Sequence, residues 1–328
     1  MTGIDSVREW LLEPENPSAR YLALTQLFDH AGQDPDVTAA QRAISHRGPA
    51  RAILDAQWPG GYWMAPGVGH SPRHRATVWQ VIFLGDLGAP LTGEIAQACA
   101  YVLEHSRLPD GRFSAQATAR GATVCLNGNL LRAMARLGYR DARLDESLAA
   151  LAEMVRRDRF CCRFNAGRPL PARMAEGLPC AWGAVKALGA FAAVPEAARS
   201  PGVRAAMAAA VAFLAGEEAT PAGVPPLVRG AYPTATSPSP LWQRFAFPLG
   251  ETSDLVEALD VLGQAGVGRF AGLGQALSAV RDKRRHDGTW ALDRTLENTW
   301  ADFGAVGTPN KWVTIRALVA LRRWEIME

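Results

Sequence analysis

The sequence predicts an all-α fold, a single (α/α)6 toroid of six helical hairpins spanning residues 1–328. Three observations predict it. Six segments are apolar around most of their circumference, which marks a buried helix. They alternate with segments carrying only one apolar stripe. A tight turn made by glycine and followed by an aromatic recurs in the long connections between them.

Taken in chain order, the inner helices are expected at Tyr21–Phe28, Trp79–Gly88, Cys125–Gly138, Cys180–Phe191, Ser253–Gly263 and Trp312–Arg323. The second and third both end in a Leu-Gly, with Gly88 and Gly138 50 residues apart. The outer helices are expected at 4–12, 36–56, 92–106, 144–157, 201–216 and 268–284. The clearest is 144–157, with Leu148, Leu151, Met154 and Val155 on one face. Its Asp145 and Glu146 open the helix and Arg156 and Arg157 close it, matching the helix dipole.

Inner-to-outer links are short, whereas the outer-to-inner links 57–75, 107–122, 158–178, 217–251 and 285–310 are long. All long links then gather at the N-termini of the inner helices, and that end is expected to be the mouth of a central cavity. Gln57-Trp-Pro-Gly-Gly-Tyr-Trp63 fits Gln-x-x-x-Gly-x-Trp, Pro109–Phe113 is a Phe variant, and His286–Trp290 is a third copy. Glycine makes the turn and the aromatic packs into the next helix pair, so Trp58 and Trp63 are expected to staple repeats together.

These turns on alternating inner and outer helices resemble the prenyltransferase and squalene-oxidase repeat of the terpenoid-cyclase/protein-prenyltransferase superfamily. The resemblance implies a toroid with a central cavity. It does not bring that superfamily's chemistry with it: the Asp-x-Asp-Asp and Asp-Asp-x-x-Asp motifs are absent, as is the Asp-x-Cys zinc pair of protein prenyltransferases.

Composition narrows the function classes. Thirty-five Lys and Arg against 32 Asp and Glu leave a formal charge of +3, and the basic residues are scattered, which disfavours nucleic acid. The most apolar stretch, 205–216, is shorter than the roughly 20 residues that span a bilayer. Five cysteines without an export signal point to the cytoplasm.

The candidate catalytic residues are Asp254 and Glu257, one turn apart on an apolar helix, and Lys311 at the start of another. A carboxyl buried among apolar side chains is either ion-paired, with Arg316 or Lys311, or held protonated as a general acid. A Glu257–Arg316 salt bridge is the plainest arrangement. Candidate ligand contacts at the mouth are Trp79, Cys125, Asn127, Cys180, Trp182, Trp242, Phe245, Glu297, Trp300, Trp312 and Arg316. No cofactor is expected. A thiolate zinc site from Cys125, Cys161, Cys162 or Cys180 is the minor alternative, since its ligands lack tight sequence pairing.

Two functions follow from these residues. The first is a small terpenoid-cyclase-like enzyme acting on an apolar or isoprenoid-like substrate in an aromatic cavity, by acid or electrostatic catalysis. The second is a non-catalytic protein of the same fold that binds a hydrophobic ligand or peptide, or serves as a scaffold. Its Pro- and aromatic-rich link 217–251 then forms a lid, a cavity wall or a peripheral membrane contact.

Overall fold

The computed structural model describes residues 4–162, 178–216, Leu227 and 241–325. The fold is all helical. The helices are α1 (Arg8–Leu11), α2 (Pro17–Gln26), α3 (Pro35–Ile44), α4 (Gly48–Asp55), α5 (Thr77–Asp86), α6 (Gly93–His105) and α7 (Val124–Arg136). They continue with α8 (Arg143–Asp158), α9 (Ala181–Ala192), α10 (Pro201–Ala215), α11 (Leu255–Gln264), α12 (Leu273–Arg281) and α13 (Lys311–Glu325). The described sheet is one antiparallel pair of two-residue strands, Cys161–Cys162 with Leu178–Pro179. Among the described residues no helix is long and apolar enough to cross a membrane.

The six segments expected inside are α2, α5, α7, α9, α11 and α13, and they form a closed ring of neighbours. Small residues let the backbones approach. A Cβ on Gly85 of α5 would lie 2.8 Å from the Cα of Ala133 in α7. One on Gly128 of α7 would lie 2.5 Å from the carbonyl of Lys186 in α9. The ring closes between its first and last members: Trp312 Nε1 donates to Ser18 Oγ at 3.1 Å, and Ser18 Oγ donates to the Leu87 carbonyl at the end of α5.

Local chemistry sets the helix ends. Thr92, Thr123, Ser200 and Asp254 cap their helices by accepting a backbone N–H, and Pro17, Pro35 and Pro201 occupy first turns where no N–H is needed. Gly88 and Gly138 follow α5 and α7 at φ +71° and +72°, the left-handed conformation that ends a helix.

The outer layer departs from expectation in two places. The segment 36–56 is two helices, α3 and α4, because Gly48 takes φ +71° and Pro49 cannot continue the hydrogen-bond ladder. The segment 4–12 is a 3-10 turn, Asp5–Val7, followed by the single turn of α1.

The turn motif has one stereochemical job. Trp63 donates from its backbone to Thr77 Oγ1 on the next inner helix and from its indole to the Ile53 carbonyl on the preceding outer one. Trp290 repeats this with Thr314 and Val280. In the Phe copy, Asn127 exchanges two hydrogen bonds with the Phe113 backbone, at 2.7 and 2.8 Å. Gly61, Gly111 and Gly288 make the turns at φ between +84° and +88°. Trp58 does not staple anything: it is 54% exposed and stacks on Tyr62.

Candidate ligand site

The ring encloses an axial cavity of about 160 Å³. Its location corrects the sequence expectation. At the long-loop end, expected to be the mouth, this cavity is closed by aromatic side chains: Phe247 stacks on Trp312 with centroids 5.0 Å apart, and Phe303 packs edge-on against Phe83, Phe247 and Trp312. The 241–254 and 285–310 loops thus cork the axis. The cavity instead reaches the surface at the C-terminal ends of α2, α5 and α7, where Gln26, Asp86 and Arg136 line it.

The lining has two chemically different walls. On one side Leu22, Ile315, Val319 and the Trp312 ring come from α2 and α13, with Thr25, Gln26 and Arg316 as the polar members of the same helices. On the other, α5, α7 and α11 present Asp86, Arg132, Arg136, Glu257 and Asp260. Charges this deep must be compensated, and here compensation comes from neighbouring ring helices.

Glu257 is 5% exposed and sits between two cations. Arg132 Nη1 and Lys186 Nζ donate to its Oε1 at 2.8 and 2.9 Å, and Lys186 Nζ lies 2.8 Å from Oε2. Burial alone would raise its carboxyl pKa; Lys186, Arg132 and Arg316 outweigh burial and hold it down at about 2. The expected Glu257–Arg316 bridge is therefore not formed. Arg316 instead grips Asp254 through both guanidinium nitrogens, at 2.7 and 3.1 Å. Asp254 is fully buried, caps α11 by accepting from the Glu257 N–H at 2.9 Å, and also accepts from the Ala246 N–H. Asp260 accepts from Arg323 at 2.7 Å and from Gln264 at 2.7 Å. Each of these carboxylates is an acceptor already in use.

Of the other candidates, Trp312 and Arg316 line the axial cavity, whereas Asp254 and Lys311 do not. Lys311 pairs with Glu13 at 2.6 Å and lies over the Trp10 ring. Trp79 is buried, its indole donating to the His70 carbonyl; Trp242 is buried and donates to Leu227; Trp300 donates to Arg75, whose guanidinium covers its ring. Trp182 is half-buried on α9, away from the axial lining. Phe245 is buried beneath Lys283, and Glu297 is exposed, its carbonyl bonded to His74. Asn127 holds the Phe113 turn. Most of the aromatic set therefore builds the cork and the loop walls, not an aromatic cavity.

Cys125, Cys161 and Cys180 do converge, on a separate cavity of about 710 Å³ at the loop end that Arg112, Arg120 and Arg157 also line. Among the described residues no group of three or more His, Cys, Asp or Glu is placed to hold a metal ion. The side chain of Cys162, and residues 163–177, 217–226 and 228–240, lie outside the described residues, so the 217–251 link is only partly in view.

Sequence reasoning passed over Lys186, Arg132 and Asp260. The signal was present: Lys186 is one of three lysines and interrupts an otherwise apolar inner helix.

No protein-family model matches the chain, and no curated protein matches it. Solved structures similar to it include a wild-type glycosidase, 13% identical over 90% of this chain and 100% of that one, with a TM-score of 0.39. They also include the apo type II terpene cyclase MstE from Scytonema, 15% identical over 85% of this chain and 96% of that one, with a TM-score of 0.28. Neither likeness assigns a substrate.

Proposed function

We propose that this toroid is a non-catalytic binding protein that takes a small amphipathic molecule into the axial cavity. One observation carries the reading: the charged side chains of α5, α7 and α11 line a space that opens to solvent together with an apolar strip of Leu22, Trp312, Ile315 and Val319 from α2 and α13. Such a lining complements a ligand with one polar end and an apolar body. At about 160 Å³ the space is well below the roughly 300 Å³ of the smallest drug-sized sites, so the ligand is a short one, and a folded peptide does not fit.

The competing reading, acid-initiated cyclisation of an isoprenoid-like substrate, needs a protonated carboxylic acid at the cavity wall. Glu257 is the deepest carboxylate there, and Lys186 and Arg132 keep it ionised across the physiological range. Asp254 is engaged by Arg316 and by two backbone N–H groups.

The test is a thermal-shift titration with short amphiphiles on the wild type and on Val319→Phe, which fills the cavity from α13. Saturable stabilisation in the wild type and its loss in the variant are expected. Stabilisation that survives Val319→Phe would place the ligand elsewhere.

A further inference from the structure

Resting on that reading of the axial cavity, we propose that the ligand's polar end is an anion, a carboxylate, and that Arg132 is the residue that receives it. The inference comes from which hydrogen-bonding capacity is spent and which is left. The carboxylates are each paired: Asp254 is held by Arg316 and two N–H groups, Asp260 by Arg323 and Gln264, Asp86 by Arg136, and Glu257 by Arg132 and Lys186 at Oε1, its Oε2 making no hydrogen bond but lying 2.8 Å from the Lys186 ammonium. The donors are not all used. Arg132 carries five N–H groups in a planar fork, and one hydrogen bond, from Nη1 to Glu257, engages it. Its Nη2 stands 3.7 Å from Asp260, beyond hydrogen-bond reach, and its side chain is 8% exposed while lining the cavity.

The charge count points the same way. Arg132, Lys186 and Arg323 share Glu257 and Asp260, whereas Arg136–Asp86 and Arg316–Asp254 are separate pairs, so the shared cluster holds one cation over. The C-terminal ends of the inner helices carry partial negative charge that could absorb it. Arg136 and Arg323 stand in last turns and answer that field. Lys186 and Arg132 lie about a turn or more inside their helices, where the terminal field has fallen away. The surplus therefore sits at depth, beside Glu257. A cationic ligand would meet carboxylates already bonded and two buried cations. A carboxylate would meet an open guanidinium edge, the geometry for a charge-assisted bidentate contact. Its apolar body would lie along Ile315, Val319, Leu22 and Trp312.

The experiment is calorimetry at constant ionic strength with three probes of one chain length: hexanoate, hexanol and hexylamine. Hexanoate is expected to bind about tenfold or more tightly than hexanol, with hexylamine weakest. Arg132→Lys, which keeps the charge toward Glu257 and loses the fork, is expected to weaken hexanoate about tenfold and leave hexanol unchanged. If hexanol binds as well as hexanoate, or if hexanoate binds folded Arg132→Lys as well as wild type, the anion proposal is overturned while the cavity reading stands. If none of the three binds at millimolar concentration, both are overturned. Should Arg132→Lys fail to fold, the wild-type ranking of the three probes decides alone.

Discussion

The ammonium of Lys186 on α9 lies 2.9 and 2.8 Å from the two carboxylate oxygens of Glu257 on α11, with both side chains at least nine-tenths buried. The pair joins two neighbouring inner helices, and Arg132 ties a third to it. A buried ion pair adds little net stability over apolar residues of the same shape, but breaking one partner exposes the other as an uncompensated charge.

Glu257→Gln should therefore cost about 3–5 kcal/mol, because it leaves Lys186 and Arg132 buried without their counter-ion. Chemical denaturation measures it. In a Lys186→Met background the same change should cost less, since one stranded cation is already gone. Equal costs in both backgrounds would mean that the two side chains are not coupled.

The same pair sets an acid limit on stability. The Glu257 carboxyl is lowered from 4.5 to about 2 in the folded chain, so its contribution is complete above about pH 4.5 and is lost as pH falls through about 2. The shift corresponds to roughly 3 kcal/mol. Melting temperature between pH 4.5 and pH 2 should fall more steeply in the wild type than in Glu257→Gln. Parallel curves would remove Glu257 from the account.

Burial was legible in the sequence and pairing was not. All-round apolarity located the six inner helices, since it reports how much of a helix is covered. Which buried acid meets which base depends on the stagger between helices, which no single helix encodes. Asp254 meets Arg316 and Asp260 meets Arg323, separations of 62 and 63 residues. With Arg316 engaged by Asp254, Glu257 pairs instead with Lys186 and Arg132. The mouth was misplaced for a related reason. Long loops gather at one end, as the alternating link lengths indicate, but their Phe247 and Phe303 close the axial cavity there, and the space left at that end lies beside Cys125 and Cys180.

Gly128→Ala tests the close approach of α7 to α9. A Cβ there would stand 2.5 Å from the Lys186 carbonyl carbon and oxygen and 2.8 Å from the Ala187 nitrogen, all backbone atoms that cannot swing aside. The helices must separate, and the cost should be about 1–3 kcal/mol or more despite alanine's better helix propensity. Gly138→Ala isolates the backbone effect: Gly138 sits at φ +72° with nothing near its missing Cβ. Its cost should come from the left-handed backbone alone, about 1–2 kcal/mol. A Gly128→Ala protein as stable as wild type would show that the α7–α9 contact yields readily.

The last prediction concerns the staple. Thr314 Oγ1 accepts the backbone N–H of Trp290 at 3.0 Å, and Thr77 Oγ1 accepts that of Trp63 at 3.1 Å, both inside the core. Replacing either threonine by valine keeps the shape and removes the acceptor, so a buried N–H loses its partner. That desolvation cost is about 1–3 kcal/mol, larger than the net worth of the hydrogen bond itself. Serine keeps the oxygen and loses only a methyl, so Thr314→Ser should cost about 1 kcal/mol or less. If the turn aromatics are held mainly by packing of their rings, the valine variants should instead be as stable as wild type and the serine variants worse. Equilibrium unfolding of the four single variants separates these outcomes. The hydrogen-bond account requires valine to be the more damaging substitution at both sites.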